Sequence, residues 1–459
     1  MRWTRIAPCL GLLALAASSC SSNSSTATTT TAPGTTTVPL TAPPTTIATT
    51  TSASVAATTT SAPVAATTTS APVAATTTPA TSTTLLTDDS AIAGYRAVVD
   101  KLAGDSLNGR DNLSPDSEAA QTFLIAQLRS FAKPLVKDAT GDEAFKQHFT
   151  LGANLLAVIP GSDLADQYVI VGAHYDHLGH VCGDVSSADN ICNGATDNAT
   201  GVAAALAVGR SIAAGPTPRR SVVIALWDAE EDDLAGSAAY LANPVAPIDH
   251  TVGYVNFDIQ GSNILPHLRG STLMIGAETG GPNLVAAATK ATKASSLVTL
   301  PLSLLFGQGR SDHANFTAAG VPSVFFTDAT SACYHTVHDE TSVVDFPKLE
   351  QQVATAEALT RDLMNTDTPP VYDSTAPPAT YADAVSMLYS VSHAEPDFDR
   401  FTPTDKAATE EFLKQVHTIV DAGAAKFTAD SVGALLAGSV GYVNAFSKGT
   451  CDGFLNATP

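Results

Sequence analysis

Three apolar runs in this chain end in the same way. Tyr168-Val-Ile-Val-Gly-Ala leads into His174-Tyr-Asp176-His177, Val222-Val-Ile-Ala-Leu-Trp leads into Asp228-Ala-Glu230-Glu231-Asp232-Asp233, and Tyr254-Val-Asn-Phe leads into Asp258. Each run has the length and β-branched content of a buried strand, and helical periodicity over 201–213 and 235–241 separates them. Alternation of this kind over 88–365 predicts an α/β fold with a mixed, mostly parallel central sheet flanked by helices. Further strands are expected at 154–159, 272–275 and 321–326, with helices after Ser114-Pro115 and over 283–294 and 348–364. In an open parallel sheet the carboxyl ends of the strands share one edge, so three strands deliver imidazole and carboxylate groups to one crevice.

Packing those acids together without a cation costs several kcal/mol per desolvated ion, so a metal is expected. Imidazole and carboxylate donors without cysteine suit zinc, ahead of manganese or cobalt. Adjacent Glu230 and Glu231 cannot both serve one ion from consecutive positions. One can ligate while the other stays free to take a proton from water, whose pKa a zinc ion draws toward ~7. Such an arrangement is suited to hydrolysing an amide.

With these residues in view, the chain resembles the di-zinc aminopeptidase family of metallopeptidases, the group of aminopeptidases S and Y among the zinc-dependent exopeptidases. The resemblance rests on His174-Tyr-Asp176, Gly194-Ala-Thr-Asp197-Asn198-Ala-Thr-Gly201, Glu230-Glu231, Asn256-Phe-Asp258 and Tyr334-His335-Thr336 in the family's order. Leu107-Asn-Gly-Arg110 and Ser311-Asp312-His313 match as well, so the likeness covers residues 102–362. Several ordered motifs carry weight that one alone would lack.

The resemblance implies a phosphorylase/hydrolase-like zinc-exopeptidase fold, two zinc ions per chain and removal of N-terminal residues from peptides. Asp197 would bridge the ions, with His174 and Asp258 completing one site and Glu231 and His335 the other. Glu230 would be the general base, and later the acid that protonates the leaving amine. Asp176 would hold His174 in its ligating tautomer, and Tyr334 would donate to the tetrahedral oxyanion. His338 is the second choice to His335, and Gln260 stands where the family usually carries an apolar residue. His177 and Asp228 are expected to support the site without ligating. Two alternatives stay open: an inactive binding lipoprotein on the same fold, which Glu230 argues against, and a single-zinc glutaminyl cyclase, which the five-ligand set argues against.

Residues 1–22 read as a signal peptide. Arg2 and Arg5 precede an apolar run through Leu15, and Ala17-Ser18-Ser19-Cys20 resembles a bacterial lipobox with Cys20 as the lipidated residue. Ordinary cleavage and secretion is the alternative. Residues 23–87 read as a disordered stalk of Thr, Ala, Ser and Pro, uncharged from Ser21 to Leu86, in which the stretch from Ser61 to Thr69 repeats from Ser70 to Thr78. The chain is therefore expected to be exported, either held at the cell envelope or released.

Residues 366–459 open with a connector holding Pro369, Pro370, Pro377 and Pro378. A helical appendage follows, with Phe412, Val416, Ile419 and Val420 on one helix face, and packing is the role favoured for it over gating of substrate. The net charge of −21 excludes nucleic acid and anionic membrane surfaces as partners. The expected partners are peptide substrates, with a monomeric chain touching the membrane only through its lipid. Beyond Cys9 and Cys20 four cysteines remain, which suits an oxidising compartment and permits three pairings. The short spacing favours Cys182 with Cys192, which leaves Cys333 with Cys451; free thiols are the alternative.

Overall fold

The β-branched runs become the central strands of one sheet because side chains on both of their faces find cover. The structure, a computed structural model, describes residues 89–186 and 188–455. The signal-peptide, Cys20 lipidation and stalk readings lie outside the described residues. The strands are β1 (Lys133–Pro134), β2 (Lys146–Phe149), β3 (Gly152–Ile159), β4 (Leu164–His174), β5 (Arg220–Trp227), β6 (Thr251–Phe257), β7 (Ser271–Ile275), β8 (Val298–Leu302) and β9 (Ser323–Thr327). Their order across the sheet is β1-β3-β5-β4-β6-β9-β7-β8, with β2 also paired to β3. The sheet is mixed. Its centre, β5-β4-β6-β9, is parallel, while β3 runs antiparallel to β5 and β7 antiparallel to β9.

The helices of the sheet domain are α1 (Asp89–Leu102), α2 (Pro115–Arg129), α3 (Thr200–Ala214), α4 (Ala235–Ala242), α5 (Gly281–Ala291), α6 (His313–Ala318) and α7 (Phe346–Asn365). Strand periodicity of two divides the core between them. Val169, Val171, Val222 and Ile224 pack with Val99, Leu124, Val202, Leu284 and Leu349, on the face covered by α1, α2, α3, α5 and α7. Ile170, Val223 and Trp227 point the other way, to Tyr240 of α4 and Phe316 of α6. Every residue of β5 is buried, which is why that strand reads as an unbroken apolar run. Burying each such side chain stabilises the fold by about 1.5–3 kcal/mol. The Ser114 side chain accepts from the backbone N–H of Ser117 and Pro115 opens α2, the start its sequence predicts.

After the proline-rich connector come α8 (Tyr381–Ala394), α9 (Pro403–Ala422) and α10 (Ala429–Phe446). Phe412 and Val416 of α9 pack with Val391 of α8, Leu435 and Tyr442 of α10, and Leu265 and Leu268 of the sheet domain. The disulfide Cys333–Cys451 ties the end of this unit to the loop after β9, and Cys182–Cys192 closes the loop after β4. Among the described residues no helix is long and apolar enough to cross a membrane. Helix α1 and strand β8 have no counterpart among the sequence expectations; β8 lies on the sheet edge, the setting in which Pro301 is tolerated.

Candidate metal centre

The parallel register brings the expected residues to one edge. His174, the last residue of β4, stands opposite Trp227, the last of β5, and Asp258 follows the final residue of β6. Beyond Trp227 the chain turns sharply, with Ala229 at φ 54°. Asp228 supports that turn, accepting from the N–H groups of Ala229 at 3.0 Å and Ala153 at 2.9 Å. Asp176 accepts from the N–H groups of Glu230 and Glu231 at 3.1 and 3.2 Å, which fastens the paired glutamates to the end of β4. Its Oδ1 lies 3.5 Å from His174 Nδ1, beyond good hydrogen-bond length, so Asp176 acts chiefly on the glutamate turn.

Asp197 arrives on the loop between β4 and α3, and two residues that sequence reasoning left without a role hold it there. The fully buried Arg110 donates to the carbonyls of Tyr175 at 2.7 Å, Gly194 at 2.8 Å, Asp197 at 3.2 Å, Leu102 at 3.2 Å and also Asn193. Asp339, also fully buried, accepts from the N–H groups of Thr196 at 2.9 Å and Asp197 at 3.0 Å and from the Thr196 hydroxyl at 2.7 Å. Gly194 sits at φ 58°, and a Cβ there would lie 2.2 Å from the Asp197 carbonyl oxygen, so only glycine fits. Behind Asp258, Gln260 donates to the Phe326 carbonyl at 2.6 Å and joins the ends of β6 and β9. That hydrogen bond accounts for a polar side chain where an apolar one is usual.

The side chains then meet at a characteristic spacing. Asp197 Oδ1 lies 3.3 Å from His174 Nε2, and Asp258 Oδ1 lies 3.4 Å from the same nitrogen. Asp197 Oδ2 lies 3.1 Å from His335 Nε2, which is 3.2 Å from Glu231 Oε2. Ligands bound to zinc at about 2.0–2.1 Å in tetrahedral geometry stand about 3.3 Å from one another. The donor set therefore fits two tetrahedral sites that share Asp197, one oxygen to each. Glu230 Oε2 is farther away, 3.9 Å from His174 Nε2. His177, Asp197 and Glu231 also have donor atoms within 4.8 Å of one another. At 2.7 Å, however, His177 Nδ1 and Glu231 Oε1 make an ordinary hydrogen bond, so His177 orients the glutamate. His338 is exposed, while His335 faces the acids.

Electrostatics in the protein alone shows how much positive charge the cluster needs. Burial works to lower the pKa of His174, but the Glu230 and Asp258 carboxylates carry it well above the ordinary value. For His335, Glu231 and Asp197 outweigh burial and raise it to about 10. Burial raises Glu230 well above the usual carboxylate range, and burial also pushes Asp312 up to about 7. The histidines act as the counter-ions of these acids, a task for which a divalent cation is better suited. Tyr334 lines the same cleft as Asp197, Glu230 and Asp258, stacked on the His335 ring at 3.7 Å between centroids. Burial and the neighbouring acids raise its pKa, so its hydroxyl stays protonated and able to donate.

Residues 154–360 match the model of peptidase family M28. That stretch, somewhat under half of the chain, is similar to the M28 peptidases. The match runs from β3 into α7, so it includes His174, Asp197, Glu230, Glu231, Asp258 and His335 but neither Arg110 nor α8–α10. The chain is 30% identical to the probable glutamate carboxypeptidase AMP1 of Arabidopsis thaliana over 200 residues, 40% of this chain and 26% of that one. It is 25% identical to a probable zinc metalloprotease of Leptosphaeria maculans over 296 residues, 55% of this chain and 67% of that one. The chain thus matches about a quarter of the Arabidopsis relative's length. Among solved structures it is similar to a leucine aminopeptidase precursor of Bacteroides thetaiotaomicron, with 17% identity and a TM-score of 0.47, covering 60% of this chain and 97% of that one.

Proposed function

We propose that this chain is a zinc-dependent peptide hydrolase that removes N-terminal residues from peptides outside the cytoplasm. His174 and Asp258 would hold one zinc ion and Glu231 and His335 the other, with Asp197 offering one carboxylate oxygen to each site. The observation that carries this reading is Asp197, whose two oxygens each lie 3.1–3.3 Å from a different imidazole, the spacing of neighbouring ligands on zinc. The match of residues 154–360 to the M28 peptidases and the likeness to a probable zinc metalloprotease support it further.

When bound, zinc supplies Lewis-acid polarisation of the scissile carbonyl and a lowered pKa for water. Glu230, buried at the cleft and outside both ligand sets, takes the proton from the attacking water and returns it to the departing amine. Tyr334 donates its hydroxyl to the oxygen that gains charge as the carbonyl becomes tetrahedral. Asp176, Asp339 and Arg110 keep the ligand loops in place while the proton moves.

Two disulfides support an oxidising compartment, in keeping with export through residues 1–22 and anchorage at Cys20. The chain acts as a monomer on this reading. The test is a set of aminoacyl-amide reporters with free or acetylated amines, offered to the zinc-loaded chain. Turnover confined to free amines is expected. Turnover confined to acetylated reporters would overturn the aminopeptidase assignment, and two bound zinc ions without any turnover would favour a binding protein.

A further inference from the structure

The cleft beside the metal centre extends far beyond the reacting groups. It encloses about 1100 Å³ of empty space, its solvent mouth included. Asp197, Glu230 and Asp258 stand at one end, apolar side chains of β7, β8 and β9 form one side, and α8, α9 and α10 form the other. Met387, Val391, Phe412, Tyr442 and Phe446 are the large groups on the helical side. Among the described lining residues the charged ones are the three acids and Arg310, and Arg310 is exposed.

We propose that α8–α10 are the specificity wall of this enzyme and that the cleft selects substrates presenting a large, uncharged, apolar side chain. The inference rests on the peptide-hydrolase reading and goes beyond it, because residues 381–446 lie outside the M28 match at 154–360. Size and polarity of the wall argue the same way. Where the helices face the cleft they carry Ser386, Ser390 and Ser439 between the large apolar groups. The Ser386 hydroxyl donates to the Pro301 carbonyl at 2.7 Å, that of Ser439 to the Leu436 carbonyl at 2.9 Å, and that of Ser390 lies 3.4 Å from the Tyr442 hydroxyl. The partners of Ser390 and Ser439 lie in the wall and that of Ser386 in β8, so these serines contribute room rather than free polar groups. A charged side chain entering here would lose its hydration with no partner in the helical wall, whereas an apolar one gains from leaving water. The Cys333–Cys451 disulfide fixes this unit beside Tyr334 and His335, which keeps the wall in register with the reacting end.

The wall also gives the C-terminal helices a role that packing alone does not require. Met387, Tyr442 and Phe446 are buried in the cluster that joins the helices to Leu265 and Leu268 of the sheet domain, and the same three side chains also line the cleft shared with Glu230.

The test compares kcat/KM for leucine and glycine amide reporters in the zinc-loaded full chain and in Ser390→Trp and Ser439→Trp, which fill the cleft from α8 and α10. Wild type is expected to prefer leucine by roughly 10–200-fold, and each tryptophan variant is expected to lower the leucine-to-glycine ratio at least about tenfold. An unchanged ratio in folded variants would overturn the proposal. Met387→Ala, which enlarges the cleft, is expected to shift preference from leucine toward phenylalanine, and no shift would count against the wall even where a tryptophan variant does not fold. If wild type cleaves neither reporter, the hydrolase reading fails on its own. Calorimetric titration of zinc-loaded Glu230→Gln with leucine amide and glycine amide then still reads the wall: tighter binding of leucine amide supports it, and equal binding overturns it.

Discussion

Arg110 Nη2 donates to the backbone carbonyl of Asp197 at 3.2 Å, although 87 residues separate them and Arg110 lies outside the M28 match. The same guanidinium serves carbonyls from the end of α1, the end of β4 and the loop before Asp197. Burial lowers its pKa while Asp197, Asp176, Asp339 and Glu231 raise it, so a fixed positive charge stands behind the acid cluster. Arg110→Met removes the charge and leaves five buried carbonyls without their donor. A loss of about 3–5 kcal/mol in unfolding free energy is expected, measured by denaturant titration. A change below about 1 kcal/mol would show that these carbonyls have other partners.

Asp339 acts on the bridging aspartate from the other side. Asp339→Ala removes the acceptor of the Thr196 and Asp197 N–H groups, so the loop that presents Asp197 loosens while all five proposed ligands remain. Zinc affinity is expected to fall by about 10–100-fold, as read by competition with a chelator. Unaltered affinity would place the control of Asp197 elsewhere.

The pKa of His335 gives a pH signature to the metal-free chain. Glu231 and Asp197 outweigh burial and raise it to about 10, against 6.5 for a free imidazole. An interaction that raises a folded-state pKa contributes fully below the unfolded value and is lost as pH climbs through the folded one. The melting temperature of metal-stripped protein is therefore expected to fall between pH 7 and pH 10. Zinc binding at pH 7 should release protons and tighten as pH rises, because the ligand must give up its proton. A stripped chain whose melting temperature is flat over that range would contradict the His335–acid contacts.

Glu230 separates metal binding from turnover. Glu230→Ala is expected to keep both zinc ions and to lower kcat by about 10²–10⁴-fold, with metal content and steady-state kinetics measured on one preparation. Near-normal kcat would remove it from the mechanism.

The ligand strands were legible because β4, β5 and β6 are buried in a parallel sheet, so each reads as an apolar run that stops abruptly at His174, Asp228 or Asp258. The role of Arg110 was not legible, since its acceptors are carbonyls as far as 87 residues away and carbonyls leave no mark on side-chain pattern. Asp339 offered one faint signal, an acid four residues after His335, but its acceptor role depends on the loop from Gly194 to Asp197 folding back to it. Periodicity in α9 disclosed an apolar face at Phe412 and Val416, for which packing was the expected role. Part of that face packs within the helical unit, and Phe412 also borders the cleft. Strand β8 escaped notice because Pro301 argues against a strand unless the strand lies on an edge.

Counting zinc tests the central claim most directly. Elemental analysis of the chain after dialysis against buffered zinc is expected to give two ions per chain, and Asp197→Ala, which takes an oxygen from each site, is expected to retain neither. One ion per wild-type chain, or two ions kept by Asp197→Ala, would contradict a pair of cations bridged by Asp197.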